Sequence, residues 1–139
     1  MNILFAEDSY LSREIAKCLD LQDENVTVIE KGSDPVAHVV EGLLNQSHYD
    51  LIFLFDIQNG TNASNSLKNI RKVELDHDVC LTESSVIVMV TSHREGSFFL
   101  NTLYKDCDYF LQLPIDRLKL AIILETTKND TFLKLPRSA

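Results

Sequence analysis

Glu7, Asp8, Asp56 and Thr91 lie far apart in this sequence, yet their types and settings would let them do chemistry together. Asp56 ends the apolar run Leu51-Ile52-Phe53-Leu54-Phe55, and Thr91 ends a second run, Val86-Ile87-Val88-Met89-Val90. Glu7 and Asp8 follow a shorter one, Ile3-Leu4-Phe5-Ala6. Carboxylates brought close to each other repel unless a cation neutralises them or their pKa values rise. An oxygen-only set in an open site suits Mg2+ or Mn2+, with waters filling the remaining positions. A lone aspartate at such a place is ordinarily a turn or helix-capping residue, so the chemistry depends on a fold that brings the four together.

Each of them sits where a strand would pass into a turn. Short apolar runs bounded by turn residues fit strands buried on both faces, as in parallel sheets covered by helices on each side. Asn59-Gly60 supplies the turn signal after Asp56. Val26-Thr27-Val28-Ile29 reads as another strand, and Asp108-Tyr109-Phe110-Leu111-Gln112-Leu113 as the fifth. Helical patterns alternate with these strands. The first begins at Ser9 and carries Leu11, Ile15, Cys18 and Leu19; the second opens on Asp34-Pro35 and carries Val36, Val39, Val40, Leu43 and Leu44. The third carries Leu67, Ile70 and Val73, with Lys68, Arg71 and Lys72 on a solvated side. A weakly signalled fourth lies between Arg94 and Asp106 around Phe99 and Leu103, and the last, opened by Pro114-Ile115-Asp116, lines up Leu118, Ala121, Ile122 and Glu125. Glu74 to Ser84 reads as a loop, where the adjacent Asp76, His77 and Asp78 make a poor preformed metal site.

Five βα units in succession imply an α/β fold: a flavodoxin-like five-stranded parallel sheet, order 2-1-3-4-5, with helices on both faces. The strands interrupted by Thr27 and Gln112 belong at the edges. Strands one and three are then neighbours, so Glu7, Asp8 and Asp56 converge at the carboxyl edge, where open sheets bind ligands. The domain is expected over residues 1–127, with 128–139 as a tail.

Composition narrows the partners. A formal charge of −8 argues against direct binding to nucleic acid and favours cations and basic protein surfaces. Three cysteines without C-x-x-C spacing indicate neither a disulfide framework nor a zinc site, as expected in a reducing cytosol. Ile3 to Ala6 is too short for a signal peptide or a membrane span, so a cytoplasmic protein with no membrane partner is expected. The turn after the first strand has no Gly-rich cradle, and no G-x-x-x-x-G-K-[ST] occurs, which disfavours a nucleotide binder.

The acidic pair Glu7-Asp8, the aspartate in Phe55-Asp56-Ile57-Gln58, the hydroxyl in Val90-Thr91-Ser92, and Asp108-Tyr109-Phe110-Leu111 leading to Pro114-Ile115 occur in that order. From Asn2 to about Thr127 the chain thus resembles a response-regulator receiver domain of two-component signalling. The resemblance implies that Asp56 accepts a phosphoryl group from a histidine kinase or phosphotransfer protein. It also implies that Glu7, Asp8, Asp56 and the Gln58 backbone carbonyl hold Mg2+ (or Mn2+), that Thr91 hydrogen-bonds a phosphoryl oxygen, and that Ser92 leaves room for it. Such a protein is a phosphoacceptor switch rather than an enzyme. With no effector domain following, its output is expected through a noncovalent downstream protein, and Phe98, Phe99, Leu103 and Tyr104 are the candidate contact surface.

The sequence departs from the family at two places. The strand-five lysine expected directly before proline is absent: either Leu113 takes its position with Phe110 as the switch aromatic, or Gln112 does with Tyr109 in that role. A unit charge about 4 Å from a phosphoryl oxygen is worth on the order of 4 kcal/mol at an effective dielectric of 20. Its loss therefore slows transfer by at most about three orders of magnitude. The second departure is at Asn59-Gly60, where the family usually has an apolar residue and proline, and strand three carries one more apolar residue than usual between Asp50 and Asp56. The alternative function is a phosphorylation-independent pseudo-receiver, a protein-interaction module using the same face.

Overall fold

The computed structural model describes residues 1–30, 33–57, 63–80 and 83–133. The elements are β1 (Asn2–Phe5), α1 (Tyr10–Leu19), β2 (Asn25–Val28), α2 (Pro35–Leu44), β3 (Leu51–Asp56), α3 (Ala63–Asp76), β4 (Val86–Thr91), α4 (Ser97–Leu103), β5 (Tyr109–Gln112) and α5 (Arg117–Leu133). All strands are parallel in the order β2-β1-β3-β4-β5, the α/β arrangement expected from the sequence. The interrupted strands β2 and β5 are the edges.

The unbroken apolar runs follow from burial on both faces of the sheet. Side chains alternate along a strand. Thus Leu51, Phe53 and Phe55 join Val86, Val88 and Val90 beneath α1 and α5, with Ile15, Leu120 and Ile123. Ile52 and Leu54 join Ile87 and Met89 on the other face, against Val39, Leu67, Ile70 and Leu100 from α2, α3 and α4. Phe5 and Phe53 stack across β1 and β3 with ring centroids 4.9 Å apart.

Local caps fix where the helices begin. Ser9 and Ser12 form a reciprocal capping box at α1: the Ser12 amide donates to Ser9 Oγ at 3.3 Å and the Ser9 amide to Ser12 Oγ at 2.9 Å. Asp34 caps α2 ahead of Pro35, and Asp116 Oδ1 accepts the Leu118 amide at 3.0 Å at the start of α5.

Several expectations are corrected. Glu74, Leu75 and Asp76 are the last turn of α3 rather than loop, and Arg71 is not solvated. Its guanidinium donates to Glu74 Oε1, Asp108 Oδ2 and the carbonyls of Ser85 and Asp106 at 2.8–2.9 Å. In α5 the buried stripe is Leu120, Ile123 and Leu124, whereas Leu118 and Ile122 are exposed. That helix also continues past Thr127 to Leu133. Among the described residues, no helix is long and apolar enough to cross a membrane.

Candidate functional site

The parallel register sets the site. Asp56 is the last residue of β3 and stands opposite Thr91, the last of β4; the Ser92 amide donates to the Asp56 carbonyl at 3.1 Å, one step beyond the strand end. The Asp56 side chain is 21% exposed, so it borders solvent while its strand is buried.

Its chief side-chain partner is Tyr104, the residue that caps the C-terminus of α4. The Tyr104 hydroxyl donates to Asp56 Oδ2 and lies 2.9 Å from Thr91 Oγ1. An ionised carboxylate only accepts, so the single phenolic proton goes to Asp56 and the Thr91 hydroxyl must donate to the phenolic oxygen. Thr91 Oγ1 in turn accepts the His93 amide at 3.0 Å. The result is a directional chain: His93 N–H to Thr91, Thr91 to Tyr104, Tyr104 to Asp56. Tyr104 is 1% exposed and Thr91 fully buried, so these bonds satisfy groups that water does not reach. Burial above all, and next the bond to Asp56, push the Tyr104 pKa above the ordinary tyrosine range, which keeps the phenol protonated.

His93 is the basic side chain that the loop after β4 brings to this carboxylate. Its Nε2 lies 3.6 Å from Asp56 Oδ2 and its Nδ1 3.2 Å from Glu95 Oε2. Gln112 fixes that loop, because its amide nitrogen donates to the carbonyls of His93 and Glu95 at 3.2 and 3.1 Å. Neither position considered for the absent lysine turns a polar group toward Asp56: Gln112 is spent on the loop, and Leu113 packs into the core under α1 and α5. Strand alternation separates the two candidate switch aromatics. Tyr109 faces that same core, while Phe110 shares the opposite face with Tyr104.

Glu7 and Asp8 occupy the turn between β1 and α1, beside the carboxyl end of β3. The Ala6 amide donates to the Phe53 carbonyl at 3.0 Å, and the Asp8 amide to Ile29 at 2.8 Å. Asp8 Oδ1 lies 3.7 Å from Arg13 Nε. The donor set at this edge is carboxylate oxygen, which fits the chemistry of a hard divalent cation. Among the described residues, however, no three of His, Cys, Asp or Glu are gathered to hold a metal ion. The Gln58 carbonyl and Asn59-Gly60 lie outside the described residues.

Tyr104 was legible only as part of an aromatic surface, and that expectation is corrected. Phe98 is 88% exposed, with Phe99 and Leu103 also open to solvent, but Tyr104 is core. The buried stripe of α4 is Leu100 and Tyr104, one position out of phase with the Phe99 and Leu103 pair that the sequence suggested. The usable signal was the spacing of four from Leu100, with the rule that a buried tyrosine hydroxyl finds a polar partner.

No protein-family model matches the chain, and no curated protein matches it. Solved structures do. The receiver domain of the histidine kinase CKI1 from Arabidopsis thaliana, complexed with Mg2+ and BeF3−, superposes with a TM-score of 0.67 at 23% identity, over 92% of this chain and 89% of that one. The Francisella response regulator 1452 receiver domain gives 0.64 at 17% identity over 94% and 98%. A CheY-like response regulator receiver domain protein from Methanospirillum hungatei gives 0.63 at 13% identity over 95% and 97%. The fold of this chain is that of receiver domains, across nearly its whole length.

Proposed function

We propose that the chain is a receiver-type signalling switch in which Asp56 accepts a phosphoryl group. The observation that carries this reading is the placement of Asp56: a partly exposed carboxylate at the carboxyl end of a fully buried strand, opposite Thr91. In the transfer, a carboxylate oxygen of Asp56 attacks phosphorus and the bond from phosphorus to the donor's histidine nitrogen breaks. The imidazole leaves with the electron pair, and the product is an acyl phosphate. Thr91 offers its hydroxyl to a phosphoryl oxygen, and Ser92 leaves space beside it.

Glu7, Asp8, Asp56 and the Gln58 carbonyl would hold Mg2+ or Mn2+, and the ion, when bound, offsets the repulsion between the anionic nucleophile and the anionic phosphoryl group. A histidine kinase or phosphotransfer protein as donor, a noncovalent protein as receiver of the signal, and a cytoplasmic setting belong to the same reading.

A second reading is favoured by the bond from Tyr104 to Asp56 and by the side chains of Gln112 and Leu113 facing elsewhere: a pseudo-receiver that uses this face for protein binding without phosphorylation. A titration with Mg2+ and beryllium trifluoride followed by NMR, with Asp56→Asn as control, separates the two. Perturbation at Asp56 and Thr91 in the natural protein and none in the variant is expected of the phosphoacceptor. No site-specific perturbation at accessible Mg2+ would sink it.

A further inference from the structure

We propose that Tyr104 is a positioning residue for Asp56, and that its hydroxyl couples the state of this carboxylate to the C-terminal end of α4. The proposal rests on the phosphoacceptor reading of Asp56 for its trigger, and on hydrogen bonding and packing for the coupling. It moves the switching aromatic from β5, where the sequence placed it at Tyr109 or Phe110, to the end of the preceding helix.

α4 is held to the sheet by little else. Of its described side chains and its cap, only Leu100 and Tyr104 are buried, while Phe98, Phe99, Asn101, Thr102 and Leu103 are exposed. Leu100 supplies an apolar contact with no preference for the charge of Asp56. Tyr104 supplies the polar contact, and it is rigidly tied to the helix because its amide donates to the Leu100 carbonyl at 2.9 Å. Its phenol bridges Asp56 and Thr91, the terminal residues of two neighbouring strands, so one hydroxyl joins three elements at one point.

The bond depends on a full anionic acceptor. When Asp56 becomes an acyl phosphate, one carboxyl oxygen becomes the bridging atom and the other an uncharged carbonyl, while the negative charge moves out to the phosphoryl oxygens. The donor then faces a weaker acceptor, since hydrogen bonds to charged groups are about twice as strong as neutral ones. The Thr91 hydroxyl, which donates to the Tyr104 oxygen, cannot serve that oxygen and a phosphoryl oxygen at once with its single proton. Both bonds that hold the phenol are therefore weakened by the same event, and the last turn of α4 is the element released.

The test has a ligand-free arm and a ligand arm. In the first, amide hydrogen exchange across α4 is measured for the natural protein, Tyr104→Phe, Asp56→Asn and the double variant. Each single substitution is expected to speed exchange at Leu100–Tyr104 about tenfold, with the double no faster than either single. Independent effects that multiply in the double variant overturn the coupling. If Tyr104→Phe also speeds exchange in the β3 and β4 core, it has loosened the whole domain, and Asp56→Asn, which changes no core volume, decides alone: unchanged exchange at α4 overturns the proposal.

In the second arm, beryllium trifluoride with Mg2+ is titrated into the natural protein and Tyr104→Phe. The variant is expected to bind about tenfold more tightly, because no phenol need be displaced, and its α4 resonances should shift less than those of the natural protein. Equal or weaker binding by the variant overturns the displacement. If neither protein binds, the phosphoacceptor reading fails, and the exchange cycle still decides whether Tyr104 ties Asp56 to α4.

Discussion

The two ends of the central strands both bury polar side chains, and they do so on opposite terms. At the amino end, the Arg71 guanidinium meets Glu74 and Asp108 together with two backbone carbonyls, and Glu74 Oε2 and Asp108 Oδ2 also accept the amides of Ser85 and Ile87. One fixed cation bridges two acids that also accept backbone amides, and it ties α3, β4 and β5 together. At the carboxyl end, Asp56 is met by a neutral phenol and by an imidazole that is charged only when protonated. The first arrangement is closed, with nothing left for a ligand to improve. The second leaves its acid open to a better partner, as a binding site must.

The contrast is broken most severely at the amino end. Arg71→Met leaves Glu74, 4% exposed, without its cation, and is expected to cost about 3–5 kcal/mol in urea unfolding. Cys107 reports on the same pole. Burial first, and then the neighbouring Asp108 charge, push its thiol up to about 12. Since the folded-state value is raised, the stability this thiol contributes is complete below the ordinary thiol value of 9.0 and is lost as pH rises through about 12. In the natural protein at mildly alkaline pH, iodoacetamide should therefore label the exposed Cys80 and spare Cys107. Arg71→Met removes a positive charge that lowers this thiol's value, so labelling of Cys107 found by mass spectrometry in that variant reports opening of the network rather than easier ionisation.

Effects at the carboxyl end are smaller in stability and larger in binding. Tyr104→Phe removes a hydrogen bond to a charged group and is expected to cost about 1–3 kcal/mol at neutral pH. It should leave the pairing of Arg71 with Glu74 and Asp108 unchanged. Below it ranks His93→Lys, which puts a permanent cation where an imidazole now stands 3.6 Å from Asp56. An exposed pair of this kind is worth up to about 1 kcal/mol, so phosphorylation by a small phosphodonor should rise about fivefold. An unchanged rate would show that the loop cation does not substitute for the lysine. The smallest effect is expected of Gln112→Ala, about 0.5 kcal/mol, visible as faster amide exchange in residues 92–96 and little elsewhere.

How much of this was written in the sequence depends on how far each signal reaches. The strands were legible because burial on two faces demands unbroken apolar runs, which Leu51–Phe55 and Val86–Val90 display; the sheet order followed from their alternation with helices and from Thr27 and Gln112 at the edges. Ser9, Asp34 and Asp116 announced helix starts through chemistry that acts within a few residues. Helix phase failed where apolar residues surround the helix. In α5, Leu118, Leu120, Ile122, Ile123 and Leu124 admit more than one stripe, and only the packed sheet selects the buried one. Arg71 failed for a different reason, since its partners Asp106 and Asp108 are more than thirty residues away. Tyr104 combined both obstacles: a short helix with a weak period, and an acceptor on another strand.

The parallel pairing of β3 with β4 runs without a break from Leu51 and Val86 to Asp56 and Thr91, with both strands covered on each side. One residue inserted or deleted within either strand would exchange the side chains of its two faces and move Asp56 off Thr91. A one-residue insertion is therefore expected to be tolerated better outside 51–56 and 86–91 than within them. Within those bounds, volume-conserving exchanges among Val, Ile, Leu and Met are the expected drift.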